Sequence, residues 1–217
     1  AWYDYIGFYF GSQTVTVYLP NAGYGALSVR GSTGSAEVPK DFSFSGVDIT
    51  VSTGNADLRA TVSESVKIRT STGNIRVEDT AVGSLDLSTA TGRVTVTGVR
   101  CGGDMTVGVS TGRADITDVS CQNLTSGGST GDLFLHRVTA AETFSLERST
   151  GNVRFDRCDA AELYVKTGTG NVTGSLRTDK VFLTETGTGS VSVPKTTAGG
   201  RCEIRTGTGD IQIRIEG

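Results

Sequence analysis

A triplet made of a small residue, threonine and glycine recurs along this 217-residue chain at nearly constant spacing. Its glycine falls every 19 or 20 residues, at Gly34, Gly54, Gly73, Gly92, Gly112, Gly131, Gly151, Gly170, Gly189 and Gly209. A period of this length is typical of proteins built from stacked units, because one unit alone cannot bury its apolar residues. The repeat therefore predicts an array of similar units, each of them short.

Apolar and polar residues alternate on both sides of each glycine. In one repeat Val66 and Ile68 precede the glycine, Ile75 and Val77 follow it, and polar residues lie between them. A period of two is typical of a strand with one buried face. Each repeat thus predicts a strand, a glycine corner, a second strand and a looser turn. The glycine supplies a corner conformation that a Cβ atom would penalise.

Stacking the repeats predicts an all-β, single-domain parallel β-solenoid of about ten coils of 19–20 residues. The coils should lie about 4.8 Å apart, which gives a rod of roughly 45–50 Å. Parallel crossovers favour a right-handed path, and we expect that hand here. Ile75, Val94 and Ala114 should then lie on one another. The strict spacing argues against a meander or a sandwich, whose hairpins are less regular.

Both ends of the chain depart from the repeat. Residues 1–24 predict an N-terminal cap or a degenerate first coil, and residues 25–217 predict the β-helix. Val15, Val17 and Leu19 alternate as a coil would, and six aromatic residues between positions 2 and 10 could cover the open end. An aromatic ligand platform is the alternative interpretation of those six.

The last repeats are also irregular. Val181 and Leu183 fit the inward positions before Gly189 better than Phe182 and Thr184 do, so a shift of one residue is expected there. The chain ends within a strand pattern, and the sequence shows no cap after it. Both features lie in the final third of the predicted rod.

Composition and motifs argue against an enzyme. The 20 basic and 23 acidic residues are scattered, with a net charge of −3, so no basic face predicts nucleic-acid binding. The single histidine, His136, occupies an outward position, and no second histidine is present for a zinc site or a proton relay. No nucleotide-binding motif occurs. We therefore expect no catalytic residues and no cofactor.

Acidic residues do not form a column that would bind metal. They fall at different positions of the repeat, as Asp57, Asp115, Asp132, Asp156 and Asp210 show. A calcium site needs six or more converging oxygen ligands, and a glycosidase needs two clustered carboxyl groups. The outward positions instead mix acidic, basic and threonine residues. This pattern favours a solvated sheet face.

The four cysteines fall into two pairs. Cys101 and Cys121 both lie nine residues after their glycines in adjacent coils, so they should be close enough for a disulfide bond. Cys158 and Cys202 fall at apolar positions and predict buried thiols. Whether the first two are bridged stays open at this point.

The repeated motif also resembles a known family. The segments STGNIRV (71–77), STGNVRF (149–155) and GTGNVTG (168–174) are similar to those of a bacterial adhesin-type family of unknown function, DUF4097-like, over residues 25–217. The resemblance implies a β-helix on or outside the bacterial membrane, often behind an N-terminal anchor. It brings no catalytic or binding residues to this chain.

Function is expected to follow from the shape of the rod. The first hypothesis is a non-enzymatic, extracytoplasmic or cell-surface module that acts as an adhesin or binds envelope components. Its partner is unknown, with a glycan or a surface protein as candidates, and a membrane would be reached only through a segment missing from this chain. A carbohydrate-binding or carbohydrate-active β-helix is one alternative. An extracytoplasmic sensory domain of a membrane-anchored regulator is the other.

Overall fold

The structure is a computed structural model that describes residues 15–20 and 22–216. Within these residues the secondary structure is all β. The strands are β1 (Gly23–Thr33), β2 (Ala36–Val38), β3 (Ser43–Thr53), β4 (Ala56–Leu58), β5 (Thr61–Thr72), β6 (Ile75–Glu78), β7 (Ala81–Thr97), β8 (Arg100–Cys101), β9 (Met105–Thr130), β10 (Leu133–Thr150), β11 (Val153–Cys158), β12 (Glu162–Thr169), β13 (Val172–Leu176), β14 (Lys180–Thr188), β15 (Val191–Ser192), β16 (Gly200–Thr208) and β17 (Ile211–Ile215).

These strands pair in parallel throughout the described residues. Ile75 pairs with Val94, and Val94 pairs with Ala114 in the next repeat. The pairing joins residues one repeat apart, which is the geometry of a coiled backbone and not of hairpins. The predicted parallel β-solenoid is therefore confirmed.

The described strands form ten coils, which are numbered here in chain order. Coils 1 to 10 span residues 23–38, 43–58, 61–78, 81–97, 100–117, 120–136, 138–158, 162–176, 180–192 and 200–215. Long strands such as β9 and β10 pass from one coil into the next, and register shifts occur in the looser turns. The one-residue differences in repeat length are thus absorbed away from the glycine corner.

Apolar side chains from each coil pile into continuous columns. Ile49, Ile68 and Leu87 occupy one such column and are fully buried. Burying a side chain of this size stabilises the folded state by about 1.5–3 kcal/mol. Each column runs through successive coils, so the hydrophobic core is continuous along the rod.

The glycine corner explains the triplet. The ten repeat glycines have φ angles from +125° to +153°, a region that residues with a Cβ rarely adopt. The corners also stack closely, since a Cβ on Gly131 would lie 1.5 Å from the carbonyl oxygen of Gly112. Asn55 follows its corner glycine, and its Oδ1 accepts a hydrogen bond of 2.9 Å from the backbone N–H of Asn74. Asparagine after the glycine ties its corner to the next in the same way at Asn74, Asn152 and Asn171.

The last two coils do not stack in chain order. Cys202 of coil 10 pairs with Leu163 of coil 8 on one side and with Phe182 of coil 9 on the other. Ile211 likewise lies between Val172 and Val191. Coil 10 is therefore inserted between coils 8 and 9, and coil 9 forms the end of the rod. Sequential stacking, which equal spacing predicts, does not occur here.

The one-residue shift expected before Gly189 is wrong. Phe182 and Thr184 point inward beside Cys202 and Ile204, whereas Val181 and Leu183 are 37% and 47% exposed. Pairing with coil 10 and the position of the glycine corner fix the register of β14. Apolar character alone does not decide it, because coil 9 has a neighbour on one side only.

The start of the described chain is less regular. Residues 15–20 lie outside any strand, and Val15 and Val17 are exposed, so this part does not form a coil. The six aromatic residues assigned to a cap lie outside the described residues. A different aromatic cluster occurs at this end, in which the rings of Tyr24, Phe42 and Phe44 lie 5.8–6.4 Å apart.

Candidate binding groove

A groove of about 740 Å³ runs along the rod across coils 2 to 7. It lies where the strand bends towards the glycine corner, and its lining comes mainly from positions four and two residues before each corner glycine. The first column is Thr50, Arg69, Ser88, Gly108, Gly127 and Glu147, and the second is Ser52, Ser71, Ala90, Ser110, Ser129 and Ser149. Six coils at about 4.8 Å give a groove about 24 Å long.

Charged side chains occur only towards the ends of this lining, within the described residues. Arg69 Nη2 lies 3.4 Å from Asp86 Oδ2, and Lys166 Nζ lies 3.1 Å from Glu147 Oε1. Both pairs are exposed, so each is worth little for stability but neutralises its end of the groove. The stretch between them carries hydroxyl groups and bare backbone.

Two glycines in the middle of the groove are not required by the fold. Neither Gly108 nor Gly127 has a positive φ angle. A Cβ on Gly127 would meet nothing within 4 Å, and one on Gly108 would meet Ser88 Cβ at an ordinary 3.7 Å. The backbone would therefore tolerate a side chain at both positions. What the glycines do is leave the groove open.

A second depression, of about 390 Å³, continues the groove towards the end of the rod and shares Glu147 with it. Tyr164 of coil 8 and Glu203 of coil 10 line it as paired neighbours. The Tyr164 hydroxyl donates a 2.6 Å hydrogen bond to Glu162 Oε2, which raises the pKa of Tyr164. A hydrogen bond from Arg201 lowers the pKa of Glu203. Only the insertion of coil 10 brings these residues together.

A buried arginine lies behind the groove. The Arg148 residue is 2% exposed, and burial lowers the pKa of its guanidinium. Its Nη2 donates to Ser126 Oγ at 2.9 Å, and its Nη1 donates to the backbone oxygen of Glu147 at 3.1 Å. In this inward column Arg148 lies between Gly128 and Thr167, and most other coils carry valine or threonine there. Sequence analysis missed Arg148, although a charged residue in a column of valine, threonine and glycine was the available signal.

His136 lies in a surface ion network. Its Nδ1 is 2.6 Å from Asp156 Oδ2, and its Nε2 contacts the guanidinium of Arg137. Arg137 also donates to both carboxylate oxygens of Asp118, which lowers the pKa of that carboxyl group. Desolvation alone would raise the pKa of Asp156, but the hydrogen bond from His136 and the nearby positive charges lower it. In a catalytic triad the second ring nitrogen faces a hydroxyl or thiol nucleophile, whereas Nε2 of His136 faces the Arg137 guanidinium.

The other acidic residues considered from the sequence are dispersed. Asp57 and Asp115 pair with Arg76 and Arg113, while Asp132 and Asp210 accept hydrogen bonds from the backbone of Asn152 and Ser190. No group of three or more potential metal ligands occurs in residues 15–20 and 22–216. Over the same residues, no helix has the length and apolar character needed to cross a membrane.

The cysteines are free and buried in the structure. Cys101 and Cys121 lie in neighbouring coils, where the preceding residues Arg100 and Ser120 pair. Burial raises the pKa of Cys101, and it raises the pKa of Cys121 to about 12. Cys158 and Cys202 are fully buried, in the apolar columns where the sequence placed them. The Cys101–Cys121 bridge stays a prediction.

We expect all four thiols to react slowly with iodoacetamide in the folded protein at about pH 8, because burial excludes the reagent and a raised pKa leaves little thiolate. Mass spectrometry in concentrated guanidinium should then show four labelled cysteines. If Cys101 and Cys121 bridge in air, the unfolded chain will carry two labels and the intact mass will be about 2 Da lower. Rapid labelling of Cys158 in the native state would contradict the buried geometry.

The stacked parallel coils and the groove along them define a β-solenoid repeat protein. Comparison with known proteins narrows this class. The model of the Toastrack DUF4097 family matches residues 2–214, and the chain belongs to that family, a domain of unknown function. The predicted family is thus confirmed. Neither the curated proteins nor the solved structures give a match.

Proposed function

We propose that this protein is a non-enzymatic, extracytoplasmic binding module that holds an extended cell-envelope polymer, a polysaccharide chain, in its groove. The observation that carries the proposal is the pair Gly108 and Gly127, which keep the middle of the groove clear although the fold does not need glycine there. Glycine in a strand interior costs stability, so the presence of these two glycines is better explained by the open groove that they leave.

The shape of the groove favours a polymer over a small molecule. Pockets for small ligands enclose most of the ligand surface, whereas this groove is open along about 24 Å of the rod. Serine hydroxyls recur in it once per coil, at Ser52, Ser71, Ser88, Ser110, Ser129 and Ser149. Hydroxyl groups donate and accept hydrogen bonds, as sugar hydroxyls do. A rigid stack of coils holds these groups in place before binding, which lowers the entropy cost.

The lining favours binding without cleavage. Glycoside hydrolysis usually needs two carboxyl groups, about 5–9.5 Å apart, on either side of the bond. Among the described residues that line the groove, the acidic one is Glu147, and Lys166 pairs with it. A carbohydrate-binding role is therefore preferred to a carbohydrate-active one. A turnover assay that releases reducing ends from a bound polysaccharide would contradict this preference.

An extracytoplasmic location is part of the proposal. It is supported by the resemblance of the STGN-type repeats to adhesin-type bacterial proteins, which lie on or outside the membrane. Digestion of intact cells with an added protease tests it, because a cytoplasmic protein would stay protected. The full-length protein should be cleaved while a cytoplasmic marker is not.

The variant Gly127→Leu tests the groove. We expect it to weaken polysaccharide binding at least about tenfold, because an outward leucine fills the middle of the groove, which corresponds to about 1.4 kcal/mol. Binding is measured by calorimetry against soluble dextran, laminarin, polygalacturonate and glycerol-phosphate teichoic acid. Melting temperature should change little, since a Cβ at this position meets no atom within 4 Å and the rest of the side chain points outward.

The matched control is Thr95→Leu, which adds a similar side chain to an outward position beyond the glycine corner. It should bind as the parent protein does. Equal affinity for Gly127→Leu and the parent would place the ligand elsewhere, and the proposed function would then be wrong.

A further inference from the structure

We propose that the groove selects an anionic polymer, because Arg148 places a positive charge without a carboxylate partner directly behind its floor. The inference rests on the proposed function and specifies the ligand of the same groove. Its ligand class is a chain that carries regularly spaced carboxylate or phosphodiester groups.

The charge of Arg148 is not neutralised by the protein. An arginine side chain stays protonated in proteins. Within the described residues its recorded partners are the Ser126 hydroxyl and the Glu147 carbonyl oxygen, and no carboxylate oxygen lies within 4.0 Å. A buried cation that lacks a counter-charge is costly to the fold, and an anion bound nearby would reduce that cost.

Coil 6 departs from the repeat in a way that accommodates this cation. Ser126 occupies an inward position where the adjacent coils have Val107 and Leu146. Gly128 occupies the inward position that is Val109 in the preceding coil, and a Cβ there would lie 2.4 Å from the carbonyl oxygen of Val109 and 2.7 Å from Arg148 Nη1. The main chain therefore requires glycine at this position, and the same glycine leaves space for the guanidinium. Ser126 contacts the guanidinium. A serine that replaces an apolar residue beside a buried arginine indicates a role for the charge itself.

The cation is also close to the groove. Gly128 lines the groove, and the neighbouring Gly127 has no side chain to cover it. Arg148 Nη1 would lie 2.7 Å from a Cβ on Gly128, so the cation is next to a residue of the groove lining. Charges act strongly across a thin protein layer of low dielectric. Because the lining residues Arg69 and Glu147 are already paired, Arg148 supplies the unbalanced charge, at coils 6 and 7.

A double variant removes the charge and keeps the fold. Ser126→Val and Arg148→Thr install residue types that other coils carry in the same columns, and Gly128 is left in place because a Cβ there would meet the carbonyl oxygen of Val109. Replacing a buried charge by packed residues is often neutral or stabilising, so the melting temperature should be equal or higher. The matched control is Arg154→Thr, which removes an exposed positive charge from an outward position beyond the glycine corner.

Calorimetry with polygalacturonate, glycerol-phosphate teichoic acid and neutral dextran shows whether the groove prefers acidic polymers and which anion it prefers. We expect the parent protein and Arg154→Thr to bind at least one acidic polymer at least about tenfold more tightly than dextran, and the double variant to lose that preference. Binding of the uronate polymer alone, or of the phosphate polymer alone, identifies the source of the anion. Added salt should weaken the acidic complexes.

Two results would overturn the inference. Equal binding of dextran and the acidic polymers by the parent would show that the groove does not select charge. An unchanged acidic preference in the double variant would show that Arg148 is not the cause. Both results leave the proposed function intact provided that Gly127→Leu still weakens binding, whereas binding of no polymer by the parent protein overturns both proposals.

Discussion

Replacing Gly131 by alanine is expected to lower the free energy of unfolding by about 3 kcal/mol or more, while Gly127→Ala in the same coil changes it by less than about 1 kcal/mol. Gly131 has a φ angle of +130°, and its Cβ would lie 1.5 Å from the carbonyl oxygen of Gly112. Backbone atoms cannot yield to such a contact without separating the coils. At Gly127 the added methyl group meets nothing within 4 Å.

Urea unfolding followed by circular dichroism measures both variants. The effect at Gly131 should exceed the local strain, because stability in a stacked protein depends on the interface between neighbouring coils. Gly127→Ala could even stabilise slightly, since alanine restricts the unfolded chain. If the two variants unfolded at the same urea concentration, close stacking of the glycine corners would not be needed for the fold.

The coil itself could be predicted because it depends on local features that repeat. Alternation around each corner fixes which residues point inward, and the 19- or 20-residue period fixes which of them stack, as Ile75, Val94 and Ala114 do. The order of the last coils could not be predicted in the same way. Coils 9 and 10 carry equivalent corners, so the repeat alone allows either to lie beside coil 8.

The groove, unlike the coil, could not be predicted from the pattern of residue types. Its lining comes from positions just before the corner in six successive coils, and its open floor at Gly108 and Gly127 breaks the outward pattern only weakly. Arg148 and Ser126 were visible as exceptions to apolar or threonine columns. Their connection is a contact of 2.9 Å between adjacent coils, which no pattern within one repeat reveals.

Contacts at the end of the rod support the position of coil 10 between coils 8 and 9. Lys180 begins coil 9, and its Nζ lies 2.8 Å from Asp159 Oδ1, with side chains that are 4% and 18% exposed. Thr178 donates a 2.8 Å hydrogen bond to the same oxygen. Gly200 of coil 10 pairs with Lys180, and a Cβ on it would lie 1.7 Å from the carbonyl oxygen of Ala161. The Lys180–Asp159 ion pair therefore crosses the first residue of the inserted coil 10. It links coil 9 to the turn before coil 8 and holds coil 9 against coil 10.

Lys180→Ala is expected to destabilise the end of the rod by about 3–5 kcal/mol, because it leaves Asp159 partly buried without its cation. Hydrogen exchange should become faster in residues 180–192 and 200–215, while residues 61–97 keep the protection of the parent protein. The double variant Lys180→Met with Asp159→Asn should recover part of the loss, since neither charge is then left unpaired.

Lys166→Ala is the matched control for this clamp. It breaks the Lys166–Glu147 pair, whose side chains are 70% and 67% exposed, and should cost less than about 1 kcal/mol. Equal exchange in the Lys180 and Lys166 variants would show that the buried pair does not hold coil 9. The inserted order of the last coils would then have to depend on the strand pairing of β14 with β16 alone.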